Sequence, residues 1–89
     1  MNDIDATLLE RGNRYGKFSG HAELSQALKR VIANADGASR LNASQTEALS
    51  MICHKMARIV NGDPNFDDSW RDIAGYAQLV VNQLQGKDT

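Results

Sequence analysis

With 89 residues, ten basic and eleven acidic side chains and a formal charge of −1, the chain is one small domain with no global field to draw it to nucleic acid or to a membrane surface. A chain of this size buries only somewhat over about 60% of its unfolded surface, so a partner or a second copy would support its thin core. The lone Cys53 excludes an intramolecular disulfide and no Cys/His grouping has zinc spacing.

The acidic start Met1-Asn2-Asp3-Ile4-Asp5 lacks the apolar run of a signal peptide. No stretch approaches the roughly 18 apolar residues of a membrane span. The expectation is a soluble cytoplasmic protein in a reducing compartment.

A short first helix is predicted from a cap at Asp3 or Asp5 through Ala6, Leu8 and Leu9 to about Gly12. Residues 11–20 carry three glycines and an asparagine and read as an ordered loop, pinned by Tyr15 and Phe18. The helical core is then expected over about 21–84. Its first helix, His21 to Asn34, repeats Leu24, Ala27, Leu28, Val31 and Ile32 at steps of three and four. Asp36-Gly37-Ala38-Ser39 stops it.

Ser44-Gln45-Thr46-Glu47 fits a capping box and opens the next helix. Leu49, Ile52, Cys53, Met56, Ile59 and Val60 form its apolar stripe, with Glu47, His54 and Arg58 opposite. Asn61-Gly62 closes it and Pro64 prevents its continuation. The last helix begins near Asp67, and Trp70, Ile73, Ala74, Ala77, Val80, Val81 and Leu84 are expected to face inward. Gly86-Lys87-Asp88-Thr89 reads as a frayed tail. The fold class is all-α, a small four-helix hairpin or bundle.

The link from Asn61 to Phe66 is short, so the helices on either side are antiparallel neighbours. Lys55 and Arg58 then lie level with Asp68 and Asp72, each pair on one helical face. This arrangement reads as an ion-pair network that registers the hairpin. It also reads as a site where the aspartates hold a metal or the cations hold a phosphate. Glu47 stands eight residues before Lys55, about 12 Å along a helix, too far to share an ion with the aspartates of the same chain.

Arg11, Arg14 and Lys17 with Tyr15 form a basic-aromatic patch that could grip phosphate and stack a base; solvated charges on a pinned loop are the plainer reading. His54 has no nucleophile at short spacing, which points to a helix contact rather than a general base. Gly75 costs about 1 kcal/mol inside a helix, so a second helix is expected to approach it. With Tyr76, Leu79 and Met51 off the main stripes, a homo-oligomeric contact is predicted, a dimer being the simplest.

The string Lys55-Met-Ala-Arg58, then Asp68-Ser-Trp-Arg-Asp72-Ile-Ala-Gly-Tyr76-Ala77, resembles a family of small, largely uncharacterised phage and prophage proteins. Upstream, Glu10-Arg11-Gly12-Asn13-Arg14-Tyr15-Gly16 looks like the same family's arginine and tyrosine-glycine signature. More distantly, the layout is similar to the MazG-like all-α nucleotide pyrophosphohydrolases. That resemblance implies metal-binding carboxylate pairs on two neighbouring helices. Here the first pair is Lys55-x-x-Arg58 and the second is D-x-x-x-D, so cations stand where carboxylates would be needed.

Two functional expectations follow. The first is a non-catalytic phage-type helical protein that binds a host or phage protein partner or a small phosphorylated ligand such as a nucleotide. Its candidate contacts are Arg11, Arg14, Tyr15, Lys55, Arg58, Asp68, Asp72 and Tyr76, and it needs no cofactor. The alternative is a metal-dependent nucleoside triphosphate pyrophosphohydrolase or related nucleotide-pool enzyme, with Asp68 and Asp72 holding magnesium and Lys55 and Arg58 on phosphates. Nucleic-acid binding comes last, for want of positive charge or an evident recognition helix.

Overall fold

A computed structural model describes residues 2–88. Four α-helices follow one another: α1 (Asp3–Tyr15), α2 (Phe18–Ala33), α3 (Ala43–Asn61) and α4 (Asp67–Leu84), with a single 3₁₀ turn, Asp36–Arg40, between α2 and α3. No strand occurs among the described residues, as the all-α reading requires.

The expected loop over residues 11–20 shrinks to Gly16 and Lys17. Gly12 and Asn13 only lower helix propensity, which tertiary context overrides. The chain breaks instead at Gly16, whose φ of 78° ends α1. α1 therefore runs on to Tyr15 and the second helix starts at Phe18, not His21. Asn2, rather than Asp3 or Asp5, caps α1 by accepting the Asp5 amide at 2.8 Å.

The capping box of α3 is also displaced. Asn42 accepts from the Gln45 amide at 2.8 Å while the Gln45 side chain accepts from the Asn42 amide at 3.0 Å. An N-x-x-Q frame two residues earlier does the work assigned to Ser44 and Glu47. At the other end of the molecule, Gly86 and Lys87 close α4 in a Schellman motif, their amides donating to the carbonyls of Gln83 and Asn82. Of the tail expected to fray, these two residues are thus hydrogen-bonded, and Thr89 lies outside the described residues.

α3 is the central element, with its main contacts to α4 and α2. It is buried on two nearly opposite stripes instead of one. Cys53 and Ala57 lie towards α2, where Cys53 shares a hollow with Lys29 and Ile32. Ala48 and Ile59 lie towards α4, where Ala48 neighbours Tyr76 and Val80. Alanines and a cysteine at these positions let three helices lie side by side, while Leu49, Ile52 and Met56 are only half-buried and Val60 is exposed.

α4 follows the same logic. Its α3-facing stripe is Ser69, Ile73, Tyr76, Val80 and Gln83, all wholly or partly buried. Trp70, Ala74, Ala77, Val81 and Leu84, expected inside, are exposed. Period alone could not say which of two adjoining apolar stripes meets α3. Nothing within the chain approaches Gly75. α1 buries no residue and touches α2 and α3 sparsely.

Candidate functional site

The corner between α1 and α2 is fastened to the corner between α3 and α4. The Asn61 side-chain amide donates to the carbonyls of Tyr15 at 2.8 Å and Lys17 at 2.9 Å. The Asp63 amide donates to the Arg14 carbonyl at 2.6 Å. Gly62 is required here because a Cβ would collide with the Arg14 carbonyl and the Tyr15 Cα. The end of α1 is thus held by backbone bonds although its helix is otherwise exposed.

That clamp stacks cations and aromatic rings in alternation. The Arg58 guanidinium lies over the Tyr15 ring at 4.4 Å, and Tyr15 meets Phe66 edge-on at 6.1 Å. Arg14 covers the Phe66 ring at 4.6 Å and pairs with Glu10 at 2.8 Å. A guanidinium over a ring forms a cation–π contact that leaves N–H donors for a planar or tetrahedral anion.

Arg11, Tyr15 and Arg58 line a hollow of about 530 Å³ together with Lys17, His21 and His54. Among the described residues, no carboxylate lies within ion-pair distance of Arg11, Lys17 or Arg58. The rings of His21 and His54 meet edge-to-face at 4.5 Å. Burial, then the charge of His21, Arg58, Lys29 and Lys55, depresses His54 to about 4. Burial and the charges of Arg58, Lys29 and Lys55 also depress His21. Both imidazoles are neutral at physiological pH, and the Nδ1 of buried His21 has no protein partner.

The opposed quartet predicted across the hairpin is half present. Lys55 Nζ meets Asp72 Oδ2 at 2.8 Å. Arg58 faces Tyr15 instead of the aspartates, and exposed Asp68 joins no ion pair among the described residues. Asp72 is compensated by an ammonium, and no group of three or more His, Cys, Asp or Glu side chains placed to hold a metal ion occurs among the described residues. The donor set around Asp68 and Asp72 therefore does not fit magnesium, which favours several oxygen ligands. Tyr76 belongs to a separate groove with Leu79 and Glu47.

The eight predicted residues thus fall in three places, with Arg11, Arg14, Tyr15 and Arg58 brought together. Sequence reasoning missed His21, Asn61 and Phe66 as parts of this corner. The available signal was glycine at 16, 20 and 62 beside Asn61, since a Cβ at Gly16, Gly20 or Gly62 would meet Asn61 or the backbone of α1.

The fold and this corner define a small all-α domain with a cationic, aromatic-lined hollow. No helix among the described residues is long and apolar enough to cross a membrane. The chain belongs to the family described as a domain of unknown function (DUF6378), whose model matches residues 4–84. No curated protein and no solved structure shows a significant match to it.

Proposed function

We propose that the protein is a small phage-type helical protein, non-catalytic and homodimeric, that binds a phosphorylated ligand such as a nucleotide in the hollow around Arg11, Tyr15 and Arg58. The carrying observation is that these two arginines, with Lys17, line one hollow that no carboxylate among the described residues lines, the neighbouring Glu10 being paired with Arg14. A phosphate would supply the missing negative charge, and Arg58, already ordered on Tyr15, would lose little side-chain freedom in binding it. Phe18, an exposed ring lining the hollow, offers a surface on which a base can stack.

The phage-type assignment and the distant MazG-like layout rest on sequence signatures alone. A hydrolase of that kind would use Asp68 and Asp72 on a metal, and the Lys55–Asp72 pair argues for binding over turnover. A panel of nucleotides and inorganic pyrophosphate, read by thermal shift with and without magnesium, tests the reading. It predicts a rise in melting temperature that needs no metal and that Arg58→Ala removes. Magnesium-dependent phosphate or pyrophosphate release, abolished by Asp72→Asn, would replace binding with catalysis.

A further inference from the structure

The two flanks of α3 differ in chemistry. Between its α2-facing and α4-facing stripes, one arc carries Glu47, His54 and Arg58 and is the side on which α1 and the hollow lie. The other arc carries Ile52, Met56 and Val60. α4 is oriented by two contacts on the first side: Asp72 reaches Lys55, and Leu79 joins Glu47 around a groove. Half a turn from Leu79 lie Trp70, Ala74, Ala77, Val81 and Leu84, which therefore continue the Ile52–Met56 side. On α2, Phe18 and His21 line the hollow, and Val31, nearly half a turn from Phe18, falls on the opposite side, 72% exposed.

The chain is consequently one layer of three helices, one face partly covered by α1 and carrying the cations of the hollow beside exposed Leu8 and Phe18, the other apolar and bare. Stable domains bury such a face against a second layer. The accessible surface is 6363 Å², against about 5,200 Å² for a compact monomer of this mass. The excess, about 1,200 Å², exceeds the roughly 800 Å² that each partner buries in a standard interface. The radius of gyration, 15.1 Å, compares with about 12 Å for a compact domain of this length.

We infer that this bare face is where a second copy of the chain docks, face to face about a two-fold axis. Trp70, Ala74, Ala77, Val81 and Leu84 follow one another at steps of 4, 3, 4 and 3, the spacing of a helix–helix seam, and none is charged. Two alanines at the middle of the seam allow backbones to approach closely. A self-complementary contact closes after two copies and covers this face on both. With a formal charge of −1 per chain, the copies do not repel. The inference rests on the homodimer of the preceding reading but not on its ligand.

Light scattering on the full chain tests it, with circular dichroism to verify that each variant stays helical. The unmodified protein should show twice the mass of one chain, and Ala77→Glu and Val81→Glu should each give the monomer. Leu8→Glu on α1 should remain a dimer and serves as the control. The lone Trp70 should shift its emission to the red as the unmodified dimer is diluted apart. A dimer that survives both α4 variants, or that is lost only with Leu8→Glu, overturns this face while leaving pairing intact. A monomeric unmodified chain overturns pairing itself. Phosphate binding retained by the monomeric variants would show the ligand reading to stand apart from both.

Discussion

The Arg58 guanidinium lies over the ring of Tyr15 at 4.4 Å and makes no ion pair with the two aspartates that share its end of the hairpin. One arginine therefore joins the first helix to the third without being neutralised. The arrangement predicts that Arg58→Ala weakens inorganic pyrophosphate binding at least about tenfold, some 1.4 kcal/mol. Arg58→Lys should not restore it, because an ammonium neither stacks on the ring nor bonds in a bidentate manner. Titration calorimetry on both variants measures the effect.

The Lys55–Asp72 pair leads to the opposite expectation. The Asp72 side chain is 48% exposed, but that of Lys55 only 12%. Asp72→Asn should then cost about 1–3 kcal/mol in denaturant unfolding, because it leaves a mostly buried ammonium unpaired. Ligand affinity should be unchanged, since Asp72 does not line the hollow.

Two glycines should respond with opposite signs. A Cβ at Gly62 would strike the Arg14 carbonyl and the Tyr15 Cα, both main chain. Gly62→Ala should therefore destabilise by about 1–3 kcal/mol, as overpacking does. Gly75 has open space around it in mid-helix, and Gly75→Ala should stabilise by about 0.5–1 kcal/mol. Melting temperatures of the two variants, moving apart around that of the unmodified chain, are the check.

The histidine pair sets a pH dependence. Unfolded, each imidazole titrates near 6.5, whereas burial and neighbouring cations keep His21 below that value and hold His54 at about 4 in the fold. Below 6.5 the unfolded chain binds more protons, so stability is full above that pH and declines as pH falls towards 4. Unfolding near pH 5 should need about 1 kcal/mol less than at neutrality, after allowance for solvent screening. An anion in the hollow would favour the protonated imidazoles, so sulfate, divalent across this range, should bind more tightly as pH falls from 6.5 towards about 4.

The fold class was legible because Leu24, Leu28 and Ile32, and likewise Trp70, Ile73, Ala77, Val80 and Leu84, recur with helical period. Helix ends were less so. Two adjacent frames, Asn42-x-x-Gln45 and Ser44-x-x-Glu47, offer the same capping chemistry, and only the fold chooses the first. The site was legible as residue types, with Arg11, Arg14, Tyr15 and Arg58 all marked by charge and aromaticity. Their meeting was not, because it depends on hydrogen bonds from Asn61 to Tyr15 and Lys17, more than forty positions apart in the chain. Charge opposition pointed Arg58 at Asp68 and Asp72, while the aromatic face of Tyr15 took it instead.

Residue-resolved NMR during a titration with a nucleoside triphosphate tests the central claim most directly. The account predicts that resonances of Arg11, Tyr15, His54 and Arg58 move first and move equally with or without magnesium. Shifts confined to Lys55, Asp68 and Asp72, appearing only when magnesium is present, would contradict it.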